Sequence, residues 1–276
     1  VFQTALPARG EDSVAMLQAL QEEAEEMAVA WTGPRPNRIP VVPEKLSIED
    51  FMAKPSVQEA LHNNELPIGL DMIHVESVSV SLNNLKNIML ISDTNASIAN
   101  VLYHSVMVIS QLSDKGHTLF VDINDDYAWL KQSVNTYING SLSEQLFTRM
   151  SEELANRKKH PKATETFIII PDLATFLERF GALDKEFKTL YTEGYRYGLH
   201  FIIAGMKATY FKGDNIVTII KEGTPTAFIA MRLYEQSFVE HKESSREERL
   251  AKDQMYLHHK GNYQKVKIIY QEEKGE

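Results

Sequence analysis

The 276-residue sequence predicts an α/β fold, a mainly parallel sheet with helices on both faces and a closing C-terminal β-hairpin. Three observations carry that prediction. Short continuous apolar runs, Asn87–Ser92, Thr166–Ile170 and His200–Ala204, have the length and β-branched content of strands covered on both sides. Segments of helical period stand between them, so strand and helix alternate, as they do in parallel sheets. The last two strand-like stretches, Gln254–His259 and Gln264–Tyr270, are joined through Lys260-Gly261-Asn262, a tight-turn sequence.

Element by element, three segments are expected: residues 1–31, 32–65 and 66–276. In the first, Leu17, Leu20, Ala24, Met27 and Trp31 recur at helical spacing, with glutamates on the outer face. The second opens with Pro34, Pro36, Pro40 and Pro43, a composition that forbids helix and favours an extended linker. Its Ile39, Val41 and Val42 form an apolar tract suited to a groove on a neighbouring domain. Two short helices follow, each announced by a capping box, Ser47-Ile-Glu-Asp50 and Ser56-Val-Gln-Glu59, and Asn63-Asn64 ends the second.

In the third segment Val78, Val80 and Leu82 alternate with serines as a half-buried strand. Asn87–Ser92 leads into a helix whose apolar face is Ile98, Val101, Leu102, Val106, Ile109 and Leu112. Thr118–Asp122 is the next strand, and a third capping box, Ser141-Leu-Ser-Glu144, starts a polar helix running to about His160. A helix over 183–197 separates the strands at Thr166–Ile170 and His200–Ala204. Ile216–Ile220 and Ala227–Met231 are expected as peripheral strands.

Composition narrows the function classes. Lysine and arginine number 29 against 38 acids, a net charge of −9, of which −5 falls on residues 1–30 and −4 on the remainder. Such a balance opposes a nucleic-acid ligand, because tracking phosphates takes a basic face. The one dense basic cluster, Arg157, Lys158, Lys159, His160 and Lys162, is expected as a solvated helix end. Zero cysteine excludes disulfides, thiolate zinc sites and cysteine nucleophiles. No apolar run, Met27–Trp31 and Ala227–Met231 included, approaches the roughly 20 residues of a membrane-spanning helix. A start at Val1 without a leader-like segment suggests a piece of a longer protein.

Open parallel sheets bind ligands where strands end and helices begin, here Ser92–Asn100, Asp122–Tyr127, Pro171–Ala174 and Gly205–Tyr210. The first loop stands where a Walker A phosphate loop would stand, yet its residues differ. Over Asp93, Thr94, Asn95, Ala96, Ser97, Ile98, Ala99 and Asn100, the glycine positions hold Asp93, Ala96 and Ile98. Ala99 takes the lysine position and Asn100 that of the magnesium-binding hydroxyl. Ile98 resists the positive φ that such a loop needs. Asp93 would repel a polyphosphate by about 3 kcal/mol at ~5 Å and an effective dielectric near 20. At the second loop, Pro171 stands where the Walker B metal carboxylate belongs and Asp172 where its glutamate belongs.

Asp122-Ile-Asn-Asp-Asp126 begins like a calcium loop, but Tyr127 replaces its turn glycine and Ser133 its bidentate glutamate, so a strand end and turn is expected. His258-His259 would face opposite sides of a strand. No metal site and no catalytic residue is therefore assigned. Asn95-Ala-Ser97 and Asn139-Gly-Ser141 match glycosylation triplets that a cytosolic chain would not use.

Leu66-Pro-Ile-Gly-Leu-Asp71, the degenerate loop 93–100, Phe167–Phe176, Tyr195–Gly205 and Val266-Lys-Ile-Ile-Tyr270 together resemble an FtsK/SpoIIIE-type ATPase module. With Trp31-Thr-Gly-Pro-Arg-Pro36 and Ile39–Ile48, which look like a linker between tandem modules, the chain is similar to the C-terminal module of the EssC/EccC coupling ATPases of type VII secretion. The resemblance covers about residues 35–270 and makes residues 1–31 the tail of a preceding module. It implies a RecA-like P-loop NTPase fold in a hexameric machine, as the cytoplasmic domain of a cell-membrane protein. Its implied partners are the preceding ATPase modules and small helical secreted substrates. Where active relatives carry a nucleotide-sensing Gln, this chain has Met206, with Gly205, Lys207 and Ala208 around it. Three readings follow: a degenerate (pseudo-)ATPase acting in substrate recognition and inter-module coupling, with no cofactor or ATP/Mg only weakly bound; an ATP-binding or slowly hydrolysing motor; and a DNA translocase module.

Overall fold

In the computed structural model, residues 10–33, 39–112, 115–140, 145–161, 164–210, 213–236, 238 and 247–271 are described. The chain divides into two units, residues 1–39 and 40–276. The first holds helix α1 (Ser13–Ala30), capped by Asp12, whose carboxylate accepts the Val14 and Ala15 N–H groups. No residue of α1 is buried, and Leu17 and Met27 of the expected apolar stripe are exposed. Pro34–Arg38 of the expected linker lies outside the described residues.

The second unit begins with α2 (Ile48–Met52), where the Ser47 hydroxyl accepts the Asp50 N–H as its capping box predicts. Helix α3 (Pro55–His62) starts one residue ahead of the second box, because Pro55 is preset for the first helical position. Ser56 is thereby freed from capping, and its hydroxyl accepts the Ser77 N–H instead. Asn64, at φ +60°, turns the chain out of the helix. Phe51 and Val57 belong to the same buried cluster as Leu66 and Ile68, so these two helices are part of the core.

Ten strands among the described residues form one sheet, ordered β2-β1-β10-β9-β8-β3-β7-β6-β4-β5. Six pair in parallel: β8 (Thr226–Ala230), β3 (Ile88–Ser92), β7 (Leu199–Met206), β6 (Glu165–Ile170), β4 (Gly116–Val121) and β5 (Thr136–Ile138). An antiparallel wing of β9 (Gln254–His259), β10 (Asn262–Lys267), β1 (Glu65–Asp71) and β2 (Ser77–Ser81) extends from β8. In β3 alternate residues enter opposite layers. Ile88 and Leu90 join the layer under α4 (Asn95–Ser110), with Val101, Leu102 and Ile109. Met89 and Ile91 join the layer that α5 (Leu146–Lys159), α6 (Leu173–Phe180), α7 (Asp184–Glu193) and, after the single turn α8 (Lys207–Tyr210), α9 (Asn215–Gly223) cover. A strand buried on both faces has no room for polar alternation, which is why these runs read as continuously apolar.

Two strand expectations are corrected. Ile216–Ile220 is helical, part of α9, capped by Asp214, with Ile216, Val217 and Ile220 on its buried side. A five-residue apolar run carries both periods, and the capping aspartate decides between them. Ala227–Met231 is central rather than peripheral, since β8 joins the parallel block to the antiparallel wing. Residues 183–197 are α7 followed by a 3-10 turn over Gly194–Tyr197, and the box at Ser141–Glu144 lies outside the described residues. Among the described residues no helix is long and apolar enough to cross a membrane.

Arg157 departs most from expectation. It is buried, and its guanidinium reaches the carbonyls of Thr164, Tyr197 and Gly198 at 3.0, 3.0 and 2.8 Å, the Thr166 hydroxyl at 2.7 Å and Glu153 at 2.8 Å. It satisfies the backbone where β6 and β7 begin, so the solvated helix end reduces to its neighbours, with Lys158 paired to Glu193; Lys162 is outside the described residues. Gly198 sits against this group at φ +72°, and a Cβ there would lie 2.5 Å from Glu165 Oε2 and 3.0 Å from Arg157 Nη1.

At the other side of the sheet, α4 holds the C-terminal segment. The buried Asn100 amide donates to the Ile269 carbonyl at 3.0 Å and accepts the Gln271 N–H at 2.7 Å. His104 Nδ1 accepts the Ile269 N–H, which leaves Nε2–H to donate to the Ile68 carbonyl. Lys267 adds a buried ion pair with Asp253 at 2.6 Å and reaches the Glu44 carbonyl.

Arg157→Met should remove the guanidinium donor that the Thr164, Tyr197 and Gly198 carbonyls share, together with the Glu153 pair, and cost about 3–5 kcal/mol, read as the shift of a urea unfolding midpoint at unchanged slope. Burial pulls the His104 pKa down to about 4. Its neutral form therefore contributes stability that is complete above the unfolded value near 6.5 and is lost as pH falls toward 4, about 3 kcal/mol in all. Unfolding free energies measured from pH 7 to 4 should decline by less in His104→Gln.

Candidate functional site

The carboxyl ends of β3, β4, β6 and β7 bring the four loops together around a cleft of about 680 Å³. At its centre the link from β3 to α4 is only two residues long, Asp93 and Thr94. Thr94 is the helix cap: its hydroxyl accepts the Ser97 N–H at 3.2 Å and donates to the Ser97 hydroxyl, while its carbonyl accepts the Ile98 N–H. Its own N–H is taken by the Ser92 hydroxyl, which donates to the Ala230 carbonyl. Asn95, Ala96, Ser97, Ile98, Ala99 and Asn100 thus form the first turns of α4 rather than a loop. Ile98 is buried in the layer beneath, and Asn100 is the residue that holds Ile269 and Gln271. Of the four N–H groups that a helix start leaves open, Thr94 and Ser97 have theirs satisfied by serine and threonine hydroxyls.

Pro171 follows β6 and is buried. Asp172 caps α6, with one carboxylate oxygen accepting the Ala174 N–H at 2.9 Å and the other the Thr175 hydroxyl at 2.5 Å. Met206 ends β7 and lines the cleft beside Gly205. Gly205 is required by close approach, since a Cβ would lie 3.1 Å from both the Leu173 Cβ and the Tyr210 ring. Tyr210 closes the floor, fully buried with its hydroxyl 2.8 Å from the Ile203 carbonyl. Loop 93–100, Pro171, Asp172 and Met206 do converge, as their places in the sequence imply.

The remaining wall comes from the turn after β4. Asp122 accepts the N–H groups of Asp126 and Tyr127 and lies 2.7 Å from the Tyr137 hydroxyl, which also lies 2.8 Å from Asp125. The calcium-like start is thus an internally bonded turn, and no group of three or more metal-ligating side chains is found among the described residues. Burial raises the Asp122 pKa despite these donors. The turn aims Asp126, Tyr127 and Trp129 at the cleft. Sequence reasoning named Tyr127 only as a missing glycine and passed over Trp129; the signal was two aromatics directly after a strand end. Among the described residues, the cleft wall includes Asp126 and Asp172 and no lysine or arginine. Burial, then the charges of Asp172, Asp122 and Asp126, push the Tyr127 phenol up to about 12.

No protein-family model matches the chain. It is 25% identical over 274 residues to the type VII secretion system protein EssC of Staphylococcus aureus strain MRSA252, covering 97% of this chain and 18% of that protein. Two solved structures share its fold: EssC (ATPases 2 and 3) of Geobacillus thermodenitrificans, with TM-score 0.78, 18% identity and coverage of 95% of this chain and 52% of the other, and the cytoplasmic domain of EssC, with TM-score 0.70, 19% identity and coverage of 97% and 55%. A third is Thermomonospora curvata EccC (ATPases 2 and 3) in complex with a signal sequence peptide, with TM-score 0.63, 17% identity and coverage of 98% and 51%. The chain therefore spans about a fifth of the curated relative and about half of each solved chain. The sheet order, the cleft at its strand ends and these likenesses agree: the chain shares the fold of the ATPase modules of EssC and EccC, and nearly all of its length is similar to part of the type VII secretion protein EssC.

Proposed function

We propose that the chain is a catalytically degenerate C-terminal module, a (pseudo-)ATPase that acts in substrate recognition and inter-module coupling rather than in turnover. The observation that carries this reading is the helical fold of residues 95–100. A phosphate loop presents consecutive backbone N–H groups to an anion, and glycines allow the curl. Here Thr94 caps the helix start, Ile98 is core, and both amide atoms of Asn100 are bonded to the backbone of Ile269 and Gln271. Ala99 offers no cation, and Asp172 is engaged as a helix cap. The residues present do not fit Mg-ATP, so no hydrolytic step is derived through it. With no lysine or arginine among the described residues of the cleft and two carboxylates on its wall, the same site is also unsuited to nucleic acid.

In the whole protein, five or so times longer on the measure of its curated relative, this module would pack with the preceding ATPase modules in a hexamer on the cytoplasmic side of a cell membrane. Small helical secreted proteins would be its cargo. The signal-peptide complex of the Thermomonospora relative supports that assignment.

Isothermal titration of Mg-ATP into the chain should give no saturable heat up to about 1 mM, which is weaker than about 4 kcal/mol of binding. Micromolar binding abolished by Asn100→Ala or Asp93→Ala would overturn the degenerate reading. Retention of small helical secretion substrates on the immobilised chain tests the recognition role, and a blank at high protein concentration counts against it.

A further inference from the structure

At the opposite edge of the sheet, where β3, β6 and β7 begin, lies a second cleft of about 520 Å³ with different chemistry. Lys86 precedes β3, Arg196 ends the turn before β7, and Lys260 stands in the β9–β10 turn, held at φ +50° with its N–H on the Pro225 carbonyl. All three are exposed. The one carboxylate on the cleft wall, Glu165, is engaged by His200 Nε2 at 2.9 Å. Tyr195 gathers the cations: Lys86 Nζ lies 5.2 Å over its ring, and Arg196 Nε lies 3.4 Å from its hydroxyl. The Arg196 contact and then the nearby Lys86 charge hold the Tyr195 phenol below its ordinary value, as a locally positive field must. Tyr197, Leu82 and Leu85 supply apolar wall.

A net-negative chain thus concentrates positive charge and aromatic surface in one concavity. The same chain carries its complement. Helix α1 has no basic residue, and Glu22, Glu23, Glu25 and Glu26 are exposed on it. The pairs 22/25, 22/26 and 23/26 are like charges at three- and four-residue spacing, which destabilise a helix until cations approach. Exposed Met27, four residues on from Glu23, adds apolar surface next to the charge.

We propose that the cleft of Lys86, Arg196, Lys260 and Tyr195 receives the acidic helix α1 of a second copy of the chain. The contact is head to tail, helix of one copy to sheet edge of the next, so it joins copies in series and closes into a ring where its rotation allows. It stands apart from the nucleotide reading, which concerns the other edge of the sheet.

Sedimentation velocity on the whole chain is the test. Self-association is expected at about 50 mM salt and should weaken about tenfold or more at about 500 mM, where charge contacts are screened. It should be lost in K86E/R196E/K260E and also in E22K/E23K/E25K/E26K, and return when those two variants are mixed, since each then offers what the other lacks. The neutral set E22Q/E23Q/E25Q/E26Q, with helix content checked by circular dichroism, separates lost charge from a lost helix, and it too should stay monomeric. A chain monomeric at low salt and high concentration overturns the proposal. So does association that survives reversal of either partner, or a charge-dependent gain in melting temperature without any change in mass.

Discussion

The backbone of Ile269 is held from both directions by one helix. Asn100 donates to its carbonyl and His104 accepts its N–H, and both side chains are buried on α4. Because α4 follows β3 after only two residues, this grip ties the middle of the parallel block to the end of the antiparallel wing. His104 reaches on to the Ile68 carbonyl in β1, so a single helix face organises a central strand, the C-terminal segment and a strand of the wing. Buried polar side chains of this kind are tolerated only when fully bonded, and Asn100 and His104 each use both of their polar ends.

The two edges of the sheet divide the labour. At the strand starts, Arg157 donates to three backbone carbonyls at once, and Gly198 clears the space it needs. At the strand ends the polar groups look inward: Ser92 to Ala230, Thr94 to Ser97, Asp172 to Ala174 and Thr175. What faces the cleft there is Tyr127, Trp129 and Met206, with Asp126 and Asp172 between them.

Much of this was legible in the sequence because it rests on local patterns. The runs at Ile88–Ile91 and Phe167–Ile170 are apolar at every position, which only a doubly covered strand permits. The identity of residues 93–100 likewise showed that a phosphate loop was missing its glycines and lysine. What took its place was not legible. That Asn100 would hold Ile269, 169 residues away, depends on a helix meeting the chain's far end. The same holds for Arg157, which reads as part of a basic run and becomes an internal bolt only because β6 and β7 start beside it. Ile216–Ile220 failed for a different reason: five apolar residues are too few to separate periods of 2 and 3.6.

Ile98 has a consequence for any attempt to engineer nucleotide chemistry into this module. A lysine introduced at Ala99 would sit on the second turn of a helix that begins at Asn95, not at the lip of a loop. The glycines that would open the loop must replace Ile98, at the cost of a core side chain worth about 2–5 kcal/mol and of helix propensity worth about 1 more. They would also loosen Asn100 and His104 within the next two turns, and with them the hold on the C-terminal segment. Opening the chain at Ile98 would therefore weaken the core and the anchoring of the C-terminal segment together.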